Sequence, residues 1–197
     1  MGLDITVYYW GPVGGMNTYG RAIGIYLALN QAKKKYPSIT YKMKGPSEMP
    51  DGTGFAVPAI SIDGTCIAQT PAILIALGEE FGLLGRTKAE RLQCMQGIED
   101  MNDVFGEHSK WVEDEERKNK WFAYLEKKLA GKQWIAGTDA PTVADFHGVF
   151  AFEWVNKKNI DFSAFPNTSK WWADIQAYPV VAEMYASCVD GRTMIPP

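Results

Sequence analysis

Residues 57–70 read Val57-Pro58-Ala59-Ile60-Ser61-Ile62-Asp63-Gly64-Thr65-Cys66-Ile67-Ala68-Gln69-Thr70. Apolar, β-branched segments at Ala56 to Ile62 and Thr65 to Ala68 flank Asp63-Gly64, the chain's strongest hairpin dipeptide, and predict two short paired strands. Pro58 fits only at a strand start or edge, because it cannot donate to a ladder. From Thr70 to Phe81 the period changes to that of a helix through Leu74, Leu77 and Phe81, and Gly82 is the stop signal.

Moving toward the N-terminus, Pro46, Pro50, Gly52 and Gly54 mark Gly45 to Gly54 as a loop with at most one helical turn. Ser38 to Lys44 alternates weakly, as a strand does. From about Asn17 to Lys35 the pattern is helical and apolar on two sides, with Ile23, Tyr26 and Leu27 on one stripe and Ile25 and Leu29 on another. Ile5 to Tyr9 is β-branched and aromatic and runs into the turn Trp10-Gly11-Pro12. The order is strand, helix, strand, loop, strand, strand, helix, an α/β unit over residues 1–82 of ordinary domain size.

Toward the C-terminus, strand signals stop after Gly85. Lys88 to about Glu107 places Cys94, Ile98, Met101 and Phe105 on one stripe. Glu113 to Ala130 opens with acids and closes with Lys127 and Lys128, which suits a helix dipole at both ends. Thr142 to Asn156, and Ser169 to about Cys188 with a break at Pro179, complete an all-helical unit over residues 88–197. Leu83 to Thr87 reads as the linker.

Composition narrows the function. With 46% hydrophobic residues the chain can bury a large core, and a net charge of -3 lacks the basic footprint that phosphate backbones demand, which argues against nucleic acid as a partner. Cys66, Cys94 and Cys188 form no CxxC pair and no metal-ligand spacing, so reduced thiols and no metal are expected. No apolar run has the length of a membrane span and no secretory signal is visible, so a soluble cytoplasmic protein without membrane attachment is expected. Gly2 with Thr6 matches the loose myristoylation pattern, but the same residues lead directly into a strand.

In order and spacing these motifs resemble the cytosolic glutathione transferases of the tyrosine type, closest to the sigma, mu and pi group, over essentially the whole chain. The resemblance implies a thioredoxin-like N-terminal domain followed by an all-helical domain. It implies that Val57-Pro58 is a cis pair whose backbone meets the cysteinyl backbone of glutathione. Gln69 and Thr70, where the family usually has Gln-Ser, would hold the γ-glutamyl end, with Thr70 capping the helix. Thr142-Val143-Ala144-Asp145-Phe146 resembles the family's capping box, with Thr142 and Asp145 in reciprocal roles.

For catalysis, Tyr9-Trp10 resembles the pair at the end of the family's first strand, and the Tyr9 hydroxyl would donate to the glutathione sulfur. Stabilising a thiolate whose parent thiol has a pKa of about 8.5 raises the nucleophile's population at neutral pH. Tyr8 is the rival, since a shift of one residue exchanges the faces of a strand. The Gly11 to Asn17 loop departs from the family pattern: it is one residue longer and lacks the usual basic residue, with Arg21 coming slightly late on the helix. Asn17 or the Gly14-Gly15 backbone could then supply donors to the sulfur. Lys44, with Lys42 beside it, and the Trp10 indole are candidates for the glycine carboxylate. Asp103 falls where related classes contact the glutamyl amine across a dimer interface. His108 and His147 read as structural.

The expected activity is conjugation of the glutathione thiolate to a small hydrophobic electrophile, in a pocket around the helix from Lys88 to Glu107 and the C-terminal aromatics. Glutathione is a co-substrate, with no other cofactor, and a homodimer is implied. Glutathione-dependent isomerisation or peroxide reduction, and a non-catalytic binding protein of the same fold, are the alternatives.

Overall fold

The computed structural model describes residues 3–10 and 19–188. Gly2 and the Gly11 to Asn17 loop, with its Gly14, Gly15 and Asn17 candidates, therefore lie outside the described residues.

A four-stranded sheet has the order β2-β1-β3-β4. β1 (Asp4–Tyr8) pairs in parallel with β2 (Thr40–Lys44), and antiparallel with β3 (Ala59–Ile62), which turns back into β4 (Thr65–Ala68). The hairpin turn is the expected one: Asp63 at φ +48° and Gly64 at φ +84° both occupy the left-handed region that a two-residue loop of this kind needs. β3 begins at Ala59 rather than Ala56, because pairing on both sides starts only after Pro58.

Two helices cover one face of the sheet. α2 (Thr70–Phe81) ends at Gly82, left-handed at φ +69°, as the glycine stop requires. α1 (Ile23–Lys35) is buried at every position from Ile23 to Leu29, so the expectation of a helix covered on two sides holds. Its start is later than Asn17. Gly20 to Ala22 form a tight 3-10 turn, entered through Gly20 at φ +48°, and the α-helix begins only beyond it.

The regular elements of the remaining described residues are helical: α3 (Lys88–Glu107), α4 (Glu115–Leu129), α5 (Val143–Lys157), α6 (Pro166–Ala177) and α7 (Pro179–Ala186). Among the described residues no helix is long and apolar enough to cross a membrane. α5 is the central element, buried along almost its whole length, and it meets α1 closely enough that a Cβ at Gly24 would lie 3.3 Å from the His147 backbone. The capping box at Thr142 is formed. Asp145, fully buried, accepts from the Thr142 N–H at 2.8 Å and the Thr142 hydroxyl at 3.0 Å, and also from the Ile135 N–H and the Trp171 indole, each at 2.9 Å. Burial pushes this carboxyl up while the four donors pull it down.

α6 starts at Pro166, earlier than Ser169, because its end is capped from elsewhere. Glu126 of α4 accepts the N–H groups of Asn167 at 2.9 Å and Thr168 at 3.0 Å. One continuous apolar cluster runs from Ile5 of β1 through α1 and α5 to α7. The fold is a thioredoxin-like sheet unit carrying a helical unit, with a shared interior.

Candidate functional site

The end of β1 builds the site. Tyr9 extends the parallel ladder by one residue, its N–H donating to the Lys44 carbonyl at 3.0 Å. Alternation along the strand puts Tyr9 on the helix side with Ile5 and Val7, and Tyr8 on the other side. There the Tyr9 hydroxyl accepts the Arg21 backbone N–H at 2.9 Å. The approach depends on Gly20, where a Cβ would lie 2.5 Å from the phenolic oxygen.

A phenol has one proton and two lone pairs. Arg21 occupies a lone pair, so the proton remains for donation outward. Burial raises the Tyr9 pKa above its ordinary value, against the lowering effects of the Arg21 N–H and the Arg21 charge. At neutral pH this tyrosine is a hydrogen-bond donor, not a base.

Tyr8 is 6% exposed and packs with Ala59, Ala68, Met49 and Val57. The two tyrosines therefore border different parts of the site: Tyr9 the start of α1, Tyr8 the segment preceding β3. The Val57-Pro58 bond is cis, as the resemblance implies. Val57 is half-buried and stands outside both strand ladders.

Gln69 is exposed, at φ +71° and ψ +113°, a conformation rarely populated by residues other than glycine. Its carbonyl accepts the Ile73 N–H at 3.0 Å, which makes Gln69 itself the N-cap residue of α2. Thr70 as a side-chain cap is thereby corrected. It occupies the first helical position, buried, and a helical residue cannot turn its hydroxyl onto the N–H groups that an N-cap reaches. Pro71 removes one donor from the first turn, leaving the Thr70 and Ala72 N–H groups there for an anion.

The other sequence candidates are spread around this centre. Trp10 is 67% exposed. The Lys44 ammonium is 3.7 Å from Glu48 and that of Lys42 is 3.9 Å from Asp4, both exposed pairs of small energetic weight. Asp103 lies exposed on α3, close enough to Arg117 to favour its charged form.

The role of Arg21 is not legible from its place in the sequence: the 3-10 turn sets its N–H on Tyr9 and its guanidinium over Phe105, 4.5 Å from the ring centroid. Phe105 packs on Phe150 at 4.5 Å between centroids, on His108 at 5.5 Å and on Trp154 at 5.9 Å. His147, Phe150 and Trp154 share one stripe of α5, a helical spacing visible in the sequence but equally that of ordinary core. Among the described residues, neither ring nitrogen of the fully buried His147 has a hydrogen-bond partner, and the same holds for the Trp154 indole N–H. Burial, with the Arg21 charge nearby, lowers the His147 pKa to about 3, so the imidazole is neutral. His108 has a packing role, its Nδ1 bonded to the Phe105 carbonyl.

Comparison with known proteins bears on this arrangement. Residues 76–179 match the family model described as glutathione S-transferase, C-terminal domain. Among solved structures, a Nu-class GST from Haemonchus contortus superposes with a TM-score of 0.72 at 18% identity, covering 92% of this chain and 95% of that one. Glutathione S-transferase unclassified 2 from Bombyx mori gives 0.72 at 17% identity, over 97% and 95% of the two chains. A glutathione S-transferase from Actinobacillus pleuropneumoniae gives 0.69 at 18%, over 95% and 94%. No curated protein matches the sequence significantly.

Proposed function

Since the chain belongs to the glutathione S-transferase family through its C-terminal domain, we propose that it is a glutathione transferase of the tyrosine type, nearest to the sigma, mu and pi group. Glutathione lies along Val57-Pro58 with its γ-glutamyl end at Gln69 and the start of α2. Asp103 of a second copy reaches the glutamyl amine, and Lys44 with Trp10 serves the glycine carboxylate. The protein acts in the cytoplasm on small hydrophobic electrophiles, with no cofactor beyond this co-substrate. The helical residues around Phe105 supply the second pocket.

The observation that carries this reading is the Tyr9 hydroxyl, whose oxygen accepts from Arg21 at 2.9 Å and whose proton no described acceptor takes. A protonated phenol held in this way can donate to a sulfur and stabilise it as thiolate without giving up its proton. In conjugation the thiol proton passes to solvent, the sulfur bonds to the electrophilic carbon, and the leaving group departs with its electron pair.

A second assignment of the activating group is favoured by packing, because Tyr8 is in contact with the Val57 region. A homodimer is supported by Phe55, fully exposed on the loop before β3, an aromatic position that a partner surface would cover.

The test is turnover of 1-chloro-2,4-dinitrobenzene together with calorimetric titration of glutathione, on the wild type, Tyr9→Phe and Tyr8→Phe. Tyr9→Phe is expected to lose at least about tenfold in kcat/KM, the scale of a lost donor in the transition state, with glutathione still bound. The reverse pattern would move the role to Tyr8. Glutathione binding without turnover in any protein would identify a non-catalytic binder. Turnover without net glutathione consumption, on endoperoxide substrates, would identify an isomerase.

A further inference from the structure

We infer that Arg21 makes this site selective for electrophiles that carry a carboxylate or a comparable anionic group on a planar apolar body. The inference rests on the transferase reading above and names its second-substrate class.

Arg21 is exposed and without a carboxylate partner among the described residues. The contrast with its counterparts is sharp: Arg86 is paired with Asp139, Arg91 with Glu79, and Arg117 with Glu107. Its place is nonetheless set at two points. The backbone is tied to Tyr9 by the 2.9 Å hydrogen bond, and the guanidinium lies over Phe105 at 4.5 Å. A guanidinium resting over a ring keeps its N–H edge for a planar anion, which it can bind in bidentate fashion.

The surroundings provide the apolar half of the recognition. Phe105 and Phe150 are in direct ring contact, with Trp154 edge-on to Phe105. Phe150 is buried beneath, while Phe105 and Trp154 are partly exposed, and a planar ring docked against their open edges would bring its anionic substituent to Arg21, whose backbone N–H meets the Tyr9 hydroxyl.

The distinguishing experiment compares two electrophiles that share one reacting centre, 4-chloro-3,5-dinitrobenzoate and its methyl ester, each rate divided by the uncatalysed rate with glutathione. In both, the thiolate bonds to the chlorinated carbon and chloride leaves. The wild type should prefer the benzoate in normalised kcat/KM. Arg21→Leu should reduce that preference by about tenfold, mostly through KM, and Arg21→Lys, which keeps the charge but not the fork, should retain part of it. The wild-type preference should also shrink with added salt, a readout that needs no variant to fold.

An equal loss for both electrophiles in Arg21→Leu would overturn the inference, since the side chain would then be acting on the sulfur rather than on the second substrate. A wild type with no preference would overturn it too, leaving the transferase reading intact. Failure of both electrophiles together with absent glutathione binding would instead overturn the transferase reading, and this inference with it.

Discussion

The Trp171 indole N–H donates to Asp145 Oδ1 at 2.9 Å, tying α6 to the first turn of α5 through a carboxylate that has no exposed surface. The Ile135 N–H and Thr142 share the same side chain, so one residue satisfies donors from three separate stretches of chain. Asp145→Ala would strand these donors in the interior, where each unsatisfied group costs about 1–3 kcal/mol. A loss of at least about 3 kcal/mol in urea-unfolding stability is expected. A loss below about 1 kcal/mol would mean that water replaces the carboxylate at little cost.

Gly20 couples backbone conformation to the tyrosine beside it. An alanine there meets both a φ of +48° and the Tyr9 oxygen 2.5 Å from its Cβ. Gly20→Ala should cost about 1–2 kcal/mol. In the double variant with Tyr9→Phe the clashing atom is gone, so the two losses should add to more than the double variant shows, by about 1 kcal/mol. Strict additivity in thermal or urea melts would place the clash elsewhere.

His147 gives the fold an acid-sensitive point. Its pKa in the folded protein is about 3, against about 6.5 in an unfolded chain, so below pH 6.5 the unfolded state takes up the extra proton. The contribution is fully present above pH 6.5 and is lost as pH falls toward 3, at up to about 1.4 kcal/mol per pH unit. His147→Leu removes the two unpartnered nitrogens and should show a shallower decline in stability between pH 6.5 and 4.5. Parallel profiles for variant and wild type would refute the assignment.

Glu107 acts in a lower range. Arg117 grips it with two hydrogen bonds of 2.6 Å, the Trp121 indole adds a third at 2.9 Å, and its pKa is held at about 2. A depressed carboxylate stabilises the fold above its unfolded pKa of about 4.3 and loses that contribution as pH falls through the folded value. Glu107→Gln should therefore be less stable than wild type at pH 7, with the gap closing between about pH 4 and pH 2. A gap independent of pH would mean the glutamate acts through packing alone.

What could be read from the sequence was whatever local chemistry decides. The Asp63-Gly64 turn and the Gly82 stop carry their own signals within a few residues, and each lies where it was expected. The misses have distant causes. α6 begins early because Glu126, some forty positions before, caps it, and no window around Ser169 contains that carboxylate. Thr70 carries a hydroxyl that suits a cap, whereas Gln69 adopts a backbone conformation that composition does not announce. At the site, Tyr9 could be named but not its neighbour. The contact with Arg21 depends on a 3-10 turn that follows a segment lacking helical or strand periodicity.

α1, pressed between the sheet and α5, belongs equally to both halves of the molecule. Replacing a residue such as Ile25 or Leu29 disturbs two environments at once, each of which constrains its volume. On the proposed transferase reading, a thiol bound against one half and an electrophile bound against the other would share this spine, and their separation would be inherited from helix packing.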